Sequence, residues 1–83
     1  MAVPVEVLPA LRREGRICEL ARRELLERCR TFEARFSMTS DAFVRRFDAG
    51  ELGDDEGLFE WRALVEGAER WRSLGARLEE MLA

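Results

Sequence analysis

The chain has 83 residues, the length of one small domain, and a net charge of −3 from 14 basic and 17 acidic residues. All of the basic residues are Arg, and Lys, His, Tyr, Asn and Gln are absent. Without His there is no imidazole base, no Ser-His-Asp arrangement and no His-ligated metal. Without Lys there is no Schiff base and no phosphate-binding GxxxxGK[ST] loop. We therefore expect a protein that is not an enzyme and that uses no cofactor or metal ion.

The beginning of the chain predicts an extended arm followed by a long helix. Val3, Val5 and Val7 alternate weakly with other residues over positions 1–8, which favours extended backbone. This start has no charged segment followed by an apolar one, and no apolar run approaches the ~18 residues of a membrane span, so we expect a cytoplasmic protein. Pro9 suits the first position of a helix, where its missing N–H costs nothing.

Helical spacing of apolar residues predicts the first helix over residues 9–37. Its stripe consists of Leu11, Cys18, Ala21, Leu25, Cys29, Phe32 and Phe36. Gly15 interrupts the stripe and costs about 1 kcal/mol against Ala in a helix interior. The two cysteines lie about 16 Å apart along such a helix, too far for a disulfide between them. They are either apolar members of the stripe or groups with a redox role, including a disulfide across a dimer.

Two further helices are predicted after a break near Ser37. A short helix over 40–49 has Thr39 as its N-cap and ends at Gly50 in the left-handed conformation. A third helix over 55–82 has Asp54 or Asp55 as its cap. Its apolar stripe is Leu58, Trp61, Leu64, Val65, Ala68, Trp71, Leu78 and Leu82. Gly67 and Gly75, eight residues apart, are either weak spots or points where another helix approaches closely.

These elements predict an all-α fold, with an arm over 1–8 and a single helical domain over 9–83. The two long helices form an antiparallel hairpin joined by the short helix. One hairpin covers only part of each apolar stripe, so we expect a bundle completed by a second copy or by another protein. One alternative places Trp61 and Trp71 in an internal core and leaves Phe59 and Leu74 for the partner. The predicted partner-binding residues are Phe43, Phe47, Leu52, Asp54, Asp55, Glu56, Phe59, Glu60, Trp61 and Trp71.

Charge is divided unevenly along the chain. Residues 1–46 carry a net charge of +3 and residues 47–83 carry −6. Between Arg46 and Arg62 no basic residue interrupts six carboxylates, which are Asp48, Glu51, Asp54, Asp55, Glu56 and Glu60. This segment is either a set of helix caps on a solvated face or a docking surface for a basic protein. The isoelectric point of about 5.0 argues against independent nucleic-acid binding, and a DNA-binding regulator stays a further alternative.

The central segment resembles a known family. Residues 32–61 read FEARFSMTSDAFVRRFDAGELGDDEGLFEW, which is similar to the YGMSSEEF…F…GELGDxxDFFEW core of a family of short bacterial and archaeal proteins. The chain departs from that core in having Phe36-Ser37 in place of Tyr-Gly and in having Gly57 in the acidic turn. Many members are encoded beside a second small protein, in the manner of the antitoxin half of a toxin–antitoxin pair. The resemblance implies a non-catalytic, antitoxin-like subunit that binds and masks a small partner; a self-associating four-helix-bundle dimer is the alternative.

Overall fold

A computed structural model describes residues 3–83 and contains three α-helices. They are α1 (Leu8–Phe36), α2 (Ser40–Asp48) and α3 (Glu56–Leu82), and a short 3₁₀ turn at Val5–Val7 precedes them. The described residues contain no strand, so the prediction of an all-α chain is confirmed. The molecule is elongated, with extents of 51 × 22 × 17 Å.

The N-terminal segment differs from the extended arm predicted over residues 1–8. Pro4 is extended, but the backbone N–H of Val7 donates a 3.0 Å hydrogen bond to the Pro4 carbonyl and closes a turn. Helix α1 follows directly at Leu8, which leaves Pro9 in its first turn, where no intrahelical donor is lost. Residues 1–2 of the predicted arm lie outside the described residues.

Helix α1 ends one residue earlier than predicted, at Phe36 rather than Ser37. Ser37 takes the left-handed conformation, with φ 51°. The N–H of Met38 then donates to the carbonyl of Glu33 at 3.2 Å, which closes the end of the helix. A serine therefore occupies the left-handed position that glycine favours. Helix α1 ends here, where the Tyr-Gly pair of the similar family would also end a helix.

The predicted stop at Gly50 is present after α2. Gly50 has φ 72°, and its N–H donates to the carbonyl of Phe47 at 3.0 Å. The N–H of Glu51 donates to the carbonyl of Arg46 at the same distance. These two bonds form a Schellman motif, which satisfies the last carbonyls of α2 and turns the chain toward α3.

Side chains cap the N-termini of α2 and α3. Thr39 Oγ1 accepts a 3.1 Å bond from the N–H of Ala42, as predicted. Asp55 Oδ1 accepts a 2.7 Å bond from the N–H of Gly57, so Asp55 rather than Asp54 is the cap. Each cap satisfies one of the donors that a helix start leaves without an intrahelical partner.

Helices α1 and α3 pack against each other in opposite directions. A Cβ placed on Gly67 would lie 3.0 Å from Leu25 Cδ1, and one on Gly75 would lie 3.7 Å from Cys18 Cβ. The later position on α3 therefore lies beside the earlier position on α1. Gly67 is a point of close approach, one of the two interpretations of this glycine pair, whereas Gly75 has room for a methyl group.

The hydrophobic core is concentrated where α2 meets the two long helices. Four buried residues form its centre, namely Cys29, Phe43, Leu58 and Trp61. At the other end of α1 and α3 the buried residues are small, namely Cys18 and Ala68. One end of the molecule thus has a three-helix core, and the other end is two helices packed through small side chains.

Among residues 3–83, no helix combines the length and the apolar composition needed to cross a membrane.

Candidate functional site

Trp61 lies at the centre of a stack of aromatic rings. Its ring is parallel to that of Phe43, with centroids 3.8 Å apart and an interplanar angle of 2°. Phe32 and Phe36, on α1, each stack on the same indole with centroids 5.8 Å apart. Trp61 and Phe43 have no exposed surface. This stack holds the three helices in fixed relative positions, because rings from each of them meet at one indole.

A polar network crosses the same core. The indole N–H of Trp61 donates a 2.9 Å hydrogen bond to Ser40 Oγ. The backbone N–H of Ser40 donates a 2.8 Å bond to the carboxylate of Glu33. Ser40 and Glu33 were absent from the predicted site, since nothing local in the sequence indicates a partner 21 residues away. The network matters for any surface built on α2 because it sets the position of that helix on α1 and α3.

The aromatic contacts continue from the core to the surface. Phe47 packs on Phe43 with centroids 5.5 Å apart, and Phe59 meets the Phe47 ring edge-on at 5.3 Å and 87°. Phe59 is 54% exposed. An exposed aromatic ring is therefore held from beneath by a continuous series of ring contacts, which reduces the conformational freedom it would lose on binding a partner.

The chain's own arginines neutralise three of the six carboxylates between Arg46 and Arg62. Asp48 accepts two bonds from Arg62, at 3.0 and 3.2 Å. Glu51 lies 3.9 Å from Arg46, and Asp55 lies 3.8 Å from Arg35. The pairs are largely exposed, so each adds at most about 1 kcal/mol to stability. Their main effect is to cancel charge on part of the acidic segment.

The other three carboxylates remain uncompensated. Asp54, Glu56 and Glu60 are exposed, and within residues 3–83 none of them forms an ion pair. Glu56 lies one turn before Phe59 on the same face of α3. Glu60 is the next residue along the helix after Phe59, and Asp54 lies in the loop before α3. We call the two rings Phe47 and Phe59, with these three carboxylates, the acidic-aromatic surface.

The ten predicted partner-binding residues do not form one surface. Phe43 and Trp61 lie in the core. They support the surface from beneath and are not accessible to a partner in the folded chain. Leu52 is half-buried against the same core cluster. Trp71 is half-buried on α3, about 18 Å along the helix axis from Phe59, at 1.5 Å per residue. The acidic-aromatic surface thus contains five of the ten predicted residues, and it lacks Trp71 and the ion-paired Asp55.

Both cysteines are free and buried. Cys18 and Cys29 are each 2% exposed. Burial raises the pKa of the Cys29 thiol, the hydrogen bond with the Ser40 side chain opposes this, and the negative charge of Glu33 reinforces it. The environment of Cys29 therefore favours an inert thiol, as expected for an apolar member of the stripe.

In the part of the chain that the structure describes, no three His, Cys, Asp or Glu side chains converge closely enough to hold a metal ion. The sequence matches no protein-family model, and neither a curated protein nor a solved structure matches it.

Proposed function

We propose that this chain is a non-catalytic protein–protein interaction module, an antitoxin-like subunit that binds and masks a small basic protein through its acidic-aromatic surface. The observation that carries the proposal is Phe59, a large ring that is more than half exposed and has Glu56 one turn before it, a carboxylate with no ion-pair partner among residues 3–83. Aromatic residues are frequent anchors of binding energy when they enter a pocket on a partner. The resemblance of residues 32–61 to proteins encoded beside a second small protein agrees with this role.

The chemistry of the surface specifies the chemistry of the partner. Three uncompensated carboxylates, Asp54, Glu56 and Glu60, attract Arg and Lys side chains and accelerate the encounter with a basic protein. The Phe59 ring requires an apolar pocket at the centre of those basic groups. A partner with an apolar depression ringed by arginines or lysines meets both conditions.

The test uses the product of the adjacent gene as the probe. The two proteins are co-expressed, and complex formation is measured by size exclusion and by titration calorimetry at low and high salt. We expect one complex at micromolar concentration, with a dissociation constant that rises with salt because exposed charges are screened. Two separate peaks from the unmodified chains would overturn the proposal.

Variants then locate the binding surface. Phe59→Ser should weaken binding by about tenfold or more, and Glu56→Arg with Glu60→Arg should weaken it most at low salt. Leu20→Ser and Glu80→Arg are the matched controls, since both positions are exposed and lie outside the acidic-aromatic surface. Equal effects of the control and site substitutions would place the interface elsewhere.

A further inference from the structure

The end of the molecule that α2 does not reach has the larger share of the exposed apolar side chains. We call this part the two-helix half; it comprises residues 8–25 of α1 and 66–82 of α3. Its buried residues are the small Cys18 and Ala68. Its exposed large apolar residues are Ile17, Leu20, Leu74 and Met81. Small buried residues beside exposed apolar side chains are what we expect of two helices that belong to a larger helical bundle.

The total surface supports the same conclusion. The accessible surface is 6201 Å², whereas a compact monomer of 9.6 kDa exposes about 5,100 Å². The excess is about 1,100 Å² per chain, and a standard interface buries about 800 Å² of each partner. The accessible surface therefore exceeds that of a compact monomer of the same mass by about the area that one standard interface buries on each partner.

Helical periodicity places Ile17, but not Leu26, on the flank of α1 that is turned away from α2. Leu26 and Glu33 face α2, since Leu26 borders a surface depression with Thr39 and Ser40 and Glu33 bonds to Ser40. Ile17 and Glu24 each lie nine residues before one of these, which is two and a half helical turns. They are therefore on the opposite flank, away from α2. Glu14 and Ala21 share that flank at spacings of three and four.

The matching flank of α3 follows a heptad spacing. Gly67, Leu74 and Met81 recur every seven residues, and Arg70 and Arg77 lie between them. Gly67, Arg70 and Leu74 line one shallow groove with Trp71. Gly67 lies nine residues after the core residue Leu58, so this flank too is turned away from the three-helix core.

The contacts between α1 and α3 fix which residues are level with each other. Gly67 lies beside Leu25 and Gly75 beside Cys18, so in antiparallel helices Leu74 lies within two residues, about 3 Å along the axis, of the level of Ile17. By the same count Arg77 lies within two residues of the level of Glu14, and Arg70 within two residues of the level of Glu24. On these two flanks Ile17 thus has an apolar residue near its level, and each of the two acids has an arginine.

From this arrangement we infer that a second copy of the chain covers this flank, forming an antiparallel four-helix bundle with its two-fold axis parallel to the helices. That axis brings α1 of one copy against α3 of the other at the same level. Ile17 meets Leu74 of the second copy, Glu14 meets its Arg77, and Glu24 meets its Arg70. Among residues 3–83, neither Glu14 nor Arg77 is paired within its own chain, whereas Glu24 pairs with Arg28 and Arg70 pairs with Glu66. The proposal does not depend on the acidic-aromatic surface, because none of its arguments uses Phe47, Phe59 or the three carboxylates.

Sedimentation equilibrium on the purified chain alone tests for the dimer. We expect a dimer at micromolar concentration, and a dissociation constant raised by about tenfold or more in Leu74→Glu, because the substitution puts a charge at the centre of the seam. Helix content by circular dichroism should be unchanged, since Leu74 is 41% exposed in the single chain. Glu80→Arg is the control, because Glu80 is exposed and lies off the seam, and this variant should dimerise normally. A monomeric unmodified chain, or dimerisation unaffected by Leu74→Glu, would overturn the proposal.

Charge reversal tests the orientation of the two copies. Glu14→Arg and Arg77→Glu should each weaken self-association at low salt, because each homodimer then holds two like-charge contacts. An equimolar mixture of the two variants should dimerise as the unmodified chain does, since every reversed charge then meets an opposite one. Glu80→Arg, off the seam, should have no effect. Two weakened variants that do not restore each other would overturn the two-fold arrangement.

Discussion

The indole N–H of Trp61 donates a 2.9 Å hydrogen bond to the hydroxyl of Ser40, which joins the centre of α3 to the first residue of α2. Trp61 has no exposed surface, so no water can replace this acceptor without a rearrangement.

Replacing Ser40 by Ala should therefore destabilise the protein. The substitution leaves a buried donor without a partner, which costs about 1–3 kcal/mol in the free energy of unfolding. Urea denaturation followed by circular dichroism measures the change. Ser73→Ala is the control, because Ser73 is also half-buried in a helix and makes no side-chain hydrogen bond among residues 3–83. Equal stabilities of the two variants would mean that the Trp61 bond contributes nothing.

Ser37→Gly should stabilise the protein by about 0.5–1 kcal/mol. Ser37 has φ 51°, and glycine adopts this conformation without the steric cost that a Cβ brings. The converse substitution at Gly50, with φ 72°, should destabilise by about 1 kcal/mol when alanine is introduced. Thermal melts of both variants should move in opposite directions. A shift of the same sign in both would contradict the left-handed assignments.

Gly15→Ala should also stabilise, for a different reason. Gly15 lies within α1, and no neighbouring atom would lie within 4 Å of an added Cβ. In a helix interior, alanine makes the folded state more stable than glycine does by about 1 kcal/mol. The same substitution at Gly67 is the comparison, since its Cβ would press on Leu25. If Gly67→Ala stabilised as much as Gly15→Ala, the close approach of the two long helices would be disproved.

Stability should fall in mildly alkaline solution because of Cys29. Burial raises the pKa of this thiol in the folded chain, so the folded state holds the proton more tightly than the unfolded state does. The resulting stabilisation is complete below the unfolded thiol pKa, about 8.5, and is lost as pH rises through the higher folded value. Lys, Tyr and His are absent, so none of these side chains adds to the slope.

Urea titrations between neutral and alkaline pH measure this slope. The free energy of unfolding of Cys29→Ala should depend less on pH than that of the unmodified chain. The comparison isolates the thiol, because the two proteins share every other titrating group. Identical pH dependence in both would show that Cys29 is not shielded from water.

Local signals in the sequence predicted the three helices to within one residue at each of their six ends. The caps at Thr39 and Asp55 and the stop at Gly50 depend on side chains within a few residues of the helix end, so they can be recognised without the fold. The N-terminal arm was less predictable. A 3₁₀ turn and an extended arm differ by one weak hydrogen bond, which the alternation of Val3, Val5 and Val7 does not reveal.

The candidate site was only partly predictable. The sequence shows that Phe43, Phe47 and Phe59 are near one another in the chain, yet one is fully buried, one half-buried and one mostly exposed. Their burial depends on the angle at which the short α2 crosses the two long helices. That angle is set by the hydrogen bonds of Ser40 with Trp61 and with Glu33, which lie on two different helices.

The sequence by itself determined the helices, their ends, the apolar stripe of each helix and the excess of acidic charge in residues 47–83, because each of these depends on neighbours within one or two helical turns. Only the tertiary structure decided which aromatic ring reaches the solvent and which carboxylates are neutralised by Arg35, Arg46 and Arg62. It also decided which flank of the long helices α2 leaves uncovered. These properties depend on how separate helices meet in space, and periodicity along one helix carries no information about that.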